Sequence, residues 1–477
     1  MNYPALITLI VYAVVLLGVG IWASRRARTQ EDYLLAGRTL GPVVAGIAYA
    51  ASSSSAWVLL GYSGFVYAIG PSALWMLPGI FCGYLVAWFW AGPVLQLSSR
   101  ENNHLTLTDF MTEYAGPVTG KWIRILSSLM IAFLFSYFVA SQFQGAGIAF
   151  DDLFGTGLPT GVFLGGAIIL IYTLLGGFLA VSLIDTLQGL LMACVAIVLP
   201  AFALYAAGGL AGIGETLAAA PSSYVDGFGG RTGWIAAGFA TGLMATGIGA
   251  LGQPHLMAWI MATRSRKARL TGAGIATGWA VLVYSGMCIL GLSARAIFGA
   301  DAPAEGVFFK LAGELLPGAF AGIIVAATLS AIMSTVDSQL LVVGGSISHD
   351  LGLSRLLGGR DVLVSRLAIL VVCLAAVGIT LAFPATIFDR TLFAWTALGA
   401  SFGPTVAARA LKLRPSGLIV LVSILLGFVS SIAYEFWLEA GPGSVFARLV
   451  PWGLAIVPFA LVKIFPATQS GPRVQAG

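Results

Sequence analysis

The sequence predicts an all-α, polytopic membrane protein, and three observations carry that prediction. Charged residues are 9% of the 477 and hydrophobic residues 58%, with a mean hydropathy of +0.95. Soluble domains hold roughly 25% charged residues and need that polar surface to cover a core. Apolar runs such as Pro4 to Trp22, Val362 to Phe383 and Gly417 to Leu438 recur along the chain. Each can cross a hydrocarbon layer of ~30 Å, for which about 20 residues suffice. The basic residues, finally, sort onto one side of the spans.

The expected spans number about 13, at 4–23, 42–69, 72–97, 120–150, 159–178, 180–207, 231–262, 268–298, 314–347, 361–383, 386–409, 415–438 and 444–464. They form a single transmembrane domain over 1–477. The first span lacks a basic leading region and is followed by Arg25, Arg26 and Arg28, so it reads as a retained helix and not a signal peptide. With the N-terminus outside, 19 of the 24 basic residues fall on cytoplasmic loops and flanks, including Arg264, Arg266, Lys267 and Arg269. Only Arg231, Arg295, Lys310, Arg390 and Arg448 remain outside, and the positive-inside rule selects N-out, C-in.

Two spans read as broken. The second carries Ala51-Ser52-Ser53-Ser54-Ser55-Ala56, and the seventh carries Gly247-Ile248-Gly249-Ala250-Leu251-Gly252-Gln253-Pro254. Non-helical backbone inside a membrane must line a cavity or be buried in protein. The two breaks lie an odd number of spans apart, so they enter from opposite sides, as an inverted five-helix repeat requires. Paired interruptions point to a transporter's midplane site. Close helix packing is the alternative use for such small residues.

Other classes fall away. The net charge of +5 comes without a basic stripe interleaved with aromatics, so no nucleic-acid partner is expected. Cys82, Cys194, Cys288 and Cys373 sit in apolar segments and imply no disulfide framework. His104, His255 and His349 show no ligand spacing. Neither a nucleophile–base arrangement nor a phosphate loop is present, so the chain is not expected to be an enzyme. Its expected partners are the bilayer of the cell (plasma or inner) membrane and a small solute, with no obligate protein partner.

Six stretches resemble the sodium/solute symporter family, and most closely its sodium/proline branch. They are Asp32-Tyr33-Leu34-Leu35-Ala36-Gly37-Arg38-Thr39-Leu40-Gly41-Pro42, Gly176-Gly177-Phe178-Leu179-Ala180-Val181-Ser182, Asp185-Thr186-Leu187-Gln188, Gly252-Gln253-Pro254-His255, Met333-Ser334-Thr335 and Phe402-Gly403-Pro404. The resemblance implies a LeuT-type core with repeats at about 42–207 and 231–409, and peripheral helices at 4–23 and 415–464. It implies Na+ as the coupling ion, no organic cofactor, and symport by alternating access of a small organic solute, an amino acid or related carboxylate. Alternatives are a proton-coupled symporter, a monocarboxylate, vitamin or sugar-acid symporter, or a solute-sensing receptor.

Carried over by position, the backbone of Ala51, Ser54 and Ala331 and the hydroxyls of Ser334 and Thr335 would hold sodium. Residues 331, 334 and 335 share a helical face. A sodium ion is a hard cation suited to such oxygen donors, and the alternative is that these hydroxyls bond back to their own helix. Asp185 and Asp337 lie at mid-membrane, where a carboxylate costs at least ~2.5–3.5 kcal/mol and is functional by default. With Ser338 they could hold a second cation, or they could be hydrogen-bonded structural carboxylates. Ser53 stands where proline-carrying relatives have aspartate, which suggests that a charge has moved across the site. The solute is expected beside Trp57, with Phe138 and Gln142 from the fourth span and Thr246 and Ala250 from the seventh. Bulky aromatics of the proline branch are missing at the last two, which predicts a larger void and a solute larger than proline. Arg390 is expected to anchor at the interface or pair with Asp389, with attraction of a solute carboxylate as the alternative.

Overall fold

The computed structural model describes residues 3–24, 29–174, 177–317, 320–356, 358–438 and 444–464. Arg25, Arg26, Arg28 and Gly176 of the motifs above lie outside them. The described chain is helical, with one isolated bridge between Leu40 and Thr263. Its principal helices are α1 (Tyr3–Ser24), α2 (Pro42–Ala56), α3 (Met76–Leu85), α4 (Leu107–Thr112), α5 (Pro117–Phe154), α6 (Leu158–Thr173), α7 (Phe178–Ala206) and α8 (Gly233–Met244). They continue with α9 (Pro254–Met261), α10 (Arg266–Phe298), α11 (Ala321–Gly345), α12 (Asp361–Ala382), α13 (Ile387–Ala410), α14 (Gly417–Phe436) and α15 (Val445–Ile464). Among the described residues, eight helical stretches are long and apolar enough to cross a membrane.

One of these, Pro42–Glu101, is not a single rod. The chain turns at Gly70, whose φ of 67° and ψ of −149° few side chains tolerate, and a Cβ there would meet the Tyr224 carbonyl oxygen at 2.6 Å. Pro71 then opens the next segment, where a missing N–H costs nothing.

Helix α2 is buried on every side from Ala45 through its π-helical continuation to Tyr62. It packs against α7, α10 and α11. With lipid as the alternative neighbour, small side chains and close backbone approach drive this packing. The predicted break is present and centres on Ser55, at φ 45° and ψ −170°. A non-glycine residue held there costs on the order of 1–3 kcal/mol and persists only where its surroundings enforce it. The freed N–H of Ala56 donates to Gln142 Oε1 at 3.1 Å, so α5 supplies the acceptor that the helix has lost.

The second break also appears, two residues earlier than expected. Helix α8 ends at Met244, a 3-10 turn runs Ala245–Gly252, Gln253 is extended, and Pro254 restarts the helix as α9. Packing and interruption coincide here. A Cβ on Gly247 would meet the Gly79 carbonyl oxygen at 1.7 Å, so α3 approaches at backbone distance. The side chain of Gln253 donates to the carbonyls of Gly249 and Trp395 at 3.1 and 2.9 Å, and Trp395 Nε1 donates to the Thr246 carbonyl at 2.8 Å. Around this centre α1 lies against α7 and α11, while α14 and α15 lie against α13.

Candidate functional site

The strained turn of α2 faces the middle of α11, and Ser52 joins them. Thr335 Oγ1 donates to the Ser52 carbonyl at 3.0 Å, and Ser52 Oγ lies 3.0 Å from the Ser334 carbonyl oxygen and 3.2 Å from Asp185 Oδ2. Both α11 hydroxyls also reach back to the Ala331 carbonyl at 3.2 Å, and Ser338 bonds the Thr335 carbonyl at 2.9 Å. Ser54 Oγ bonds the Ala50 carbonyl at 2.8 Å. Ala51, Ser54, Ala331, Ser334 and Thr335 are all at 0% exposure. A set of carbonyl and hydroxyl oxygens at the junction of two helices suits a hard monovalent cation. Ser52, absent from the expected ligand set, is the residue that ties the set together.

Asp185 and Asp337 are wholly buried. Asp337 accepts from Thr173 of α6, and Asp185 from Ser52. Asp185 Oδ1 and Asp337 Oδ2 have no hydrogen-bond partner, and neither carboxylate has an ion pair among the described residues. Ser53 is turned elsewhere, to Tyr84 of α3 and the Ala50 carbonyl. Ser53 and Asp337 thus have different neighbours.

Trp57 sits in an aromatic nest that only partly follows expectation. Its ring lies 5.8 Å from Tyr284 and 6.2 Å from both Tyr62 and Phe388, and its Nε1 donates to the Ser53 carbonyl at 3.1 Å. Phe138 packs edge-on to His255 at 6.3 Å, and Gln142 spends its amide on Ala56 and Ser141. Beside Thr246, where the sequence suggests a void, a basic side chain approaches. Arg448 of α15, 4% exposed, donates to the Thr246 hydroxyl and to the Gly242 carbonyl. Ala250 is likewise buried, its carbonyl accepting from Gln253 N at 3.3 Å. Arg448 had been counted only as an outer basic residue; nothing in its neighbourhood of sequence reveals that its side chain crosses to the seventh-span break.

Arg390 also departs from expectation. It is buried and donates to Gln144 Oε1 at 2.5 Å and to the Thr380 and Phe383 carbonyls, with no described ion pair to Asp389. Glu305 receives the Phe388 N–H at 3.2 Å at the start of α13, and burial pushes its carboxyl up to about 7. At the opposite end of the bundle, ligand atoms of Asp109, His349 and Asp350 lie within 4.8 Å of one another, a grouping that sequence spacing had hidden. Arg124 Nη1 supplies counter-charge at 2.6 Å from Asp109 and 3.6 Å from Asp350. Burial alone would raise the Asp109 carboxyl, but His349 and Arg124 hold it well below the usual range.

A buried break in α2 that meets α11 at clustered oxygens, with a second interrupted helix in the same bundle of membrane-length helices, is the pattern of an ion-coupled secondary transporter. The comparisons agree. The profile of the sodium:solute symporter family matches residues 33–408. The sodium/proline symporter of Escherichia coli (strain K12) is 32% identical over 98% of this chain and 95% of its own length. The high-affinity proline transporter PutP of Bacillus subtilis (strain 168) is 31% identical over 91% and 92%. Among solved structures, a Na+-coupled sialic acid symporter in a substrate-bound outward-open state superposes with a TM-score of 0.80, at 17% identity, covering 97% of this chain and 98% of that one. A nucleobase-cation-symport-1 family transporter in a closed conformation gives 0.58 at 12% identity, covering 93% and 98%. The chain belongs to the sodium:solute symporter family. It is a multi-pass protein of the cell membrane, and its class of activity is sodium-coupled solute transport.

Proposed function

We propose that this chain imports a small amino acid or related carboxylate together with sodium, by alternating access between two halves of the bundle. The observation that carries the reading is the contact of the strained α2 turn with α11 through Ser52, Ser334 and Thr335. Sodium entering there exchanges hydrogen bonds that hydroxyls make to carbonyls for ion–oxygen contacts from Ala51, Ser54, Ala331, Ser334 and Thr335. The solute lies next to Trp57. The names of the relatives support an amino acid, and they favour proline over the larger solute that the missing aromatics suggest. Thirteen spans with the N-terminus outside fit the distribution of basic residues.

Asp185, Asp337 and Ser338 form a second cation site in this reading, supported by two buried carboxylates whose second oxygens lack donors. The test is uptake into proteoliposomes. Proline or another amino acid should accumulate against its gradient when sodium is higher outside, and a proton gradient alone should not drive it. Accumulation that ignores sodium would overturn the reading.

A further inference from the structure

At the break in α2 the two ends of one helical hydrogen bond find partners on different helices. In an unbroken α-helix the Ala56 N–H would bond the Ser52 carbonyl, four residues back. At the Ser55 turn both groups are served from outside α2. Ala56 N donates to Gln142 Oε1 on α5 at 3.1 Å, and the Ser52 carbonyl accepts from Thr335 Oγ1 on α11 at 3.0 Å. The Ser52 carbonyl thereby joins the oxygens gathered between α2 and α11. Gln142 and Thr335 act on opposite ends of the same interruption.

The Gln142 amide can face only one way. A backbone N–H donates and never accepts, so the amide turns its oxygen to Ala56 and its nitrogen to Ser141 Oγ, 2.9 Å away. Ser141 Oγ also lies 2.6 Å from the Phe138 carbonyl oxygen, which takes its one proton. The Thr391 hydroxyl of α13 therefore donates to Ser141 at 2.8 Å. All three side chains are buried, so α5 and α13 together fix where the Gln142 oxygen sits. Ser55 meanwhile holds φ 45° and ψ −170°, a conformation that a residue with a Cβ keeps only when its surroundings enforce it. Without the Gln142 oxygen, relief of that strain and the return of Ala56 N–H to the Ser52 carbonyl both favour an unbroken helix. We propose that Gln142 is a positioning residue for the sodium site, holding α2 in its broken form, and not a ligand of the solute. This rests on the sodium-site reading given above.

Sodium then binds the broken form alone, and its apparent affinity falls with the fraction of chains that adopt that form. Equilibrium binding of radiolabelled sodium to the purified protein, with no solute present, reads this fraction. Gln142→Met fills the space without a comparable acceptor and should weaken sodium about 5-fold or more, the worth of one buried hydrogen bond. Gln142→Asn, one methylene shorter, should lose the reach to Ala56 and show the same deficit. Glycine adopts the Ser55 conformation at little steric cost, so the deficit should shrink when Gln142→Met is made in a Ser55→Gly background. A solute ligand would leave sodium binding unmoved in the absence of solute, and a general packing defect would not be repaired at Ser55. Parent affinity in both Gln142 variants would overturn the proposal, and so would a deficit that Ser55→Gly leaves undiminished. Failure of the parent itself to bind sodium would instead remove the sodium-site reading on which the proposal stands.

Discussion

Replacing Thr335 by alanine removes one hydroxyl at the junction of α2 and α11, and its cost differs between the ion-free and ion-bound forms. Without sodium the hydroxyl's single proton is shared between the Ser52 and Ala331 carbonyls at 3.0 and 3.2 Å, worth about 1 kcal/mol net. The variant should therefore fold. With sodium the same oxygen faces a full charge, where a contact is worth about 1.5–3 kcal/mol. The difference, about 0.5–2 kcal/mol, should then raise the sodium concentration for half-maximal uptake about 2- to 30-fold. Solute affinity at saturating sodium should change little, since Thr335 meets α2 at Ser52, before the strained Ser55, and Trp57 lies beyond it. The assay is initial uptake in proteoliposomes over a range of sodium, followed by solute titration at the highest concentration. Thr335→Ser keeps the oxygen and should keep most of the affinity. Sodium dependence unchanged in both Thr335→Ala and Ser334→Ala would remove these hydroxyls from the site.

Three further outcomes are expected. A cysteine at Arg264 should react with an impermeant thiol reagent only from the cytoplasmic face; labelling of intact cells from outside would reverse the orientation. Asp337→Asn should lower the charge moved per solute, measured in proteoliposomes at several imposed voltages, because each cation crossing 100 mV is worth ~2.3 kcal/mol. Equal ratios in parent and variant would make Asp337 structural. Burial raises the Glu305 carboxyl from its ordinary 4.5 to about 7, so between these values the folded chain keeps a proton that the unfolded chain has lost. The stability linked to this group is full below about pH 4.5 and is lost as the pH rises to about 7, and Glu305→Gln should flatten that part of a thermal-unfolding profile.

Much of the architecture was legible because membranes restrict the options. A serine run and a glycine run inside apolar spans can only be interruptions or contacts, and both segments proved to be both. The strained φ of Ser55 falls in the serine run, and the backbone contact of Gly247 with Gly79 falls in the glycine run. Pro254 marked the restart of the helix because its ring is pre-set for a first turn. The start of the second break, at Ala245, carried no such signal. Nothing in Ala-Thr-Gly separates a 3-10 turn from an α-helix without knowing that Trp395 and Gln253 take up the freed carbonyls.

The side chains that sequence reading misplaced share one physical cause: each acts across the bundle, where chain separation gives no clue. Counting charges by side treats Arg448 as an outer flank, yet a long aliphatic stem lets its guanidinium reach the Thr246 hydroxyl. His349 had no partner at ligand spacing because Asp109 lies 240 residues away. The two buried carboxylates show the limit most sharply. Asp185 and Asp337 could be picked out by their cost alone, since a charge in the membrane demands a reason. Ser52 costs little to bury once its hydroxyl is paired, so its presence in a membrane helix asks for no explanation. Its part emerges only from contacts to Ser334, Thr335 and Asp185, which lie 133 or more residues away along the chain and come together across three helices.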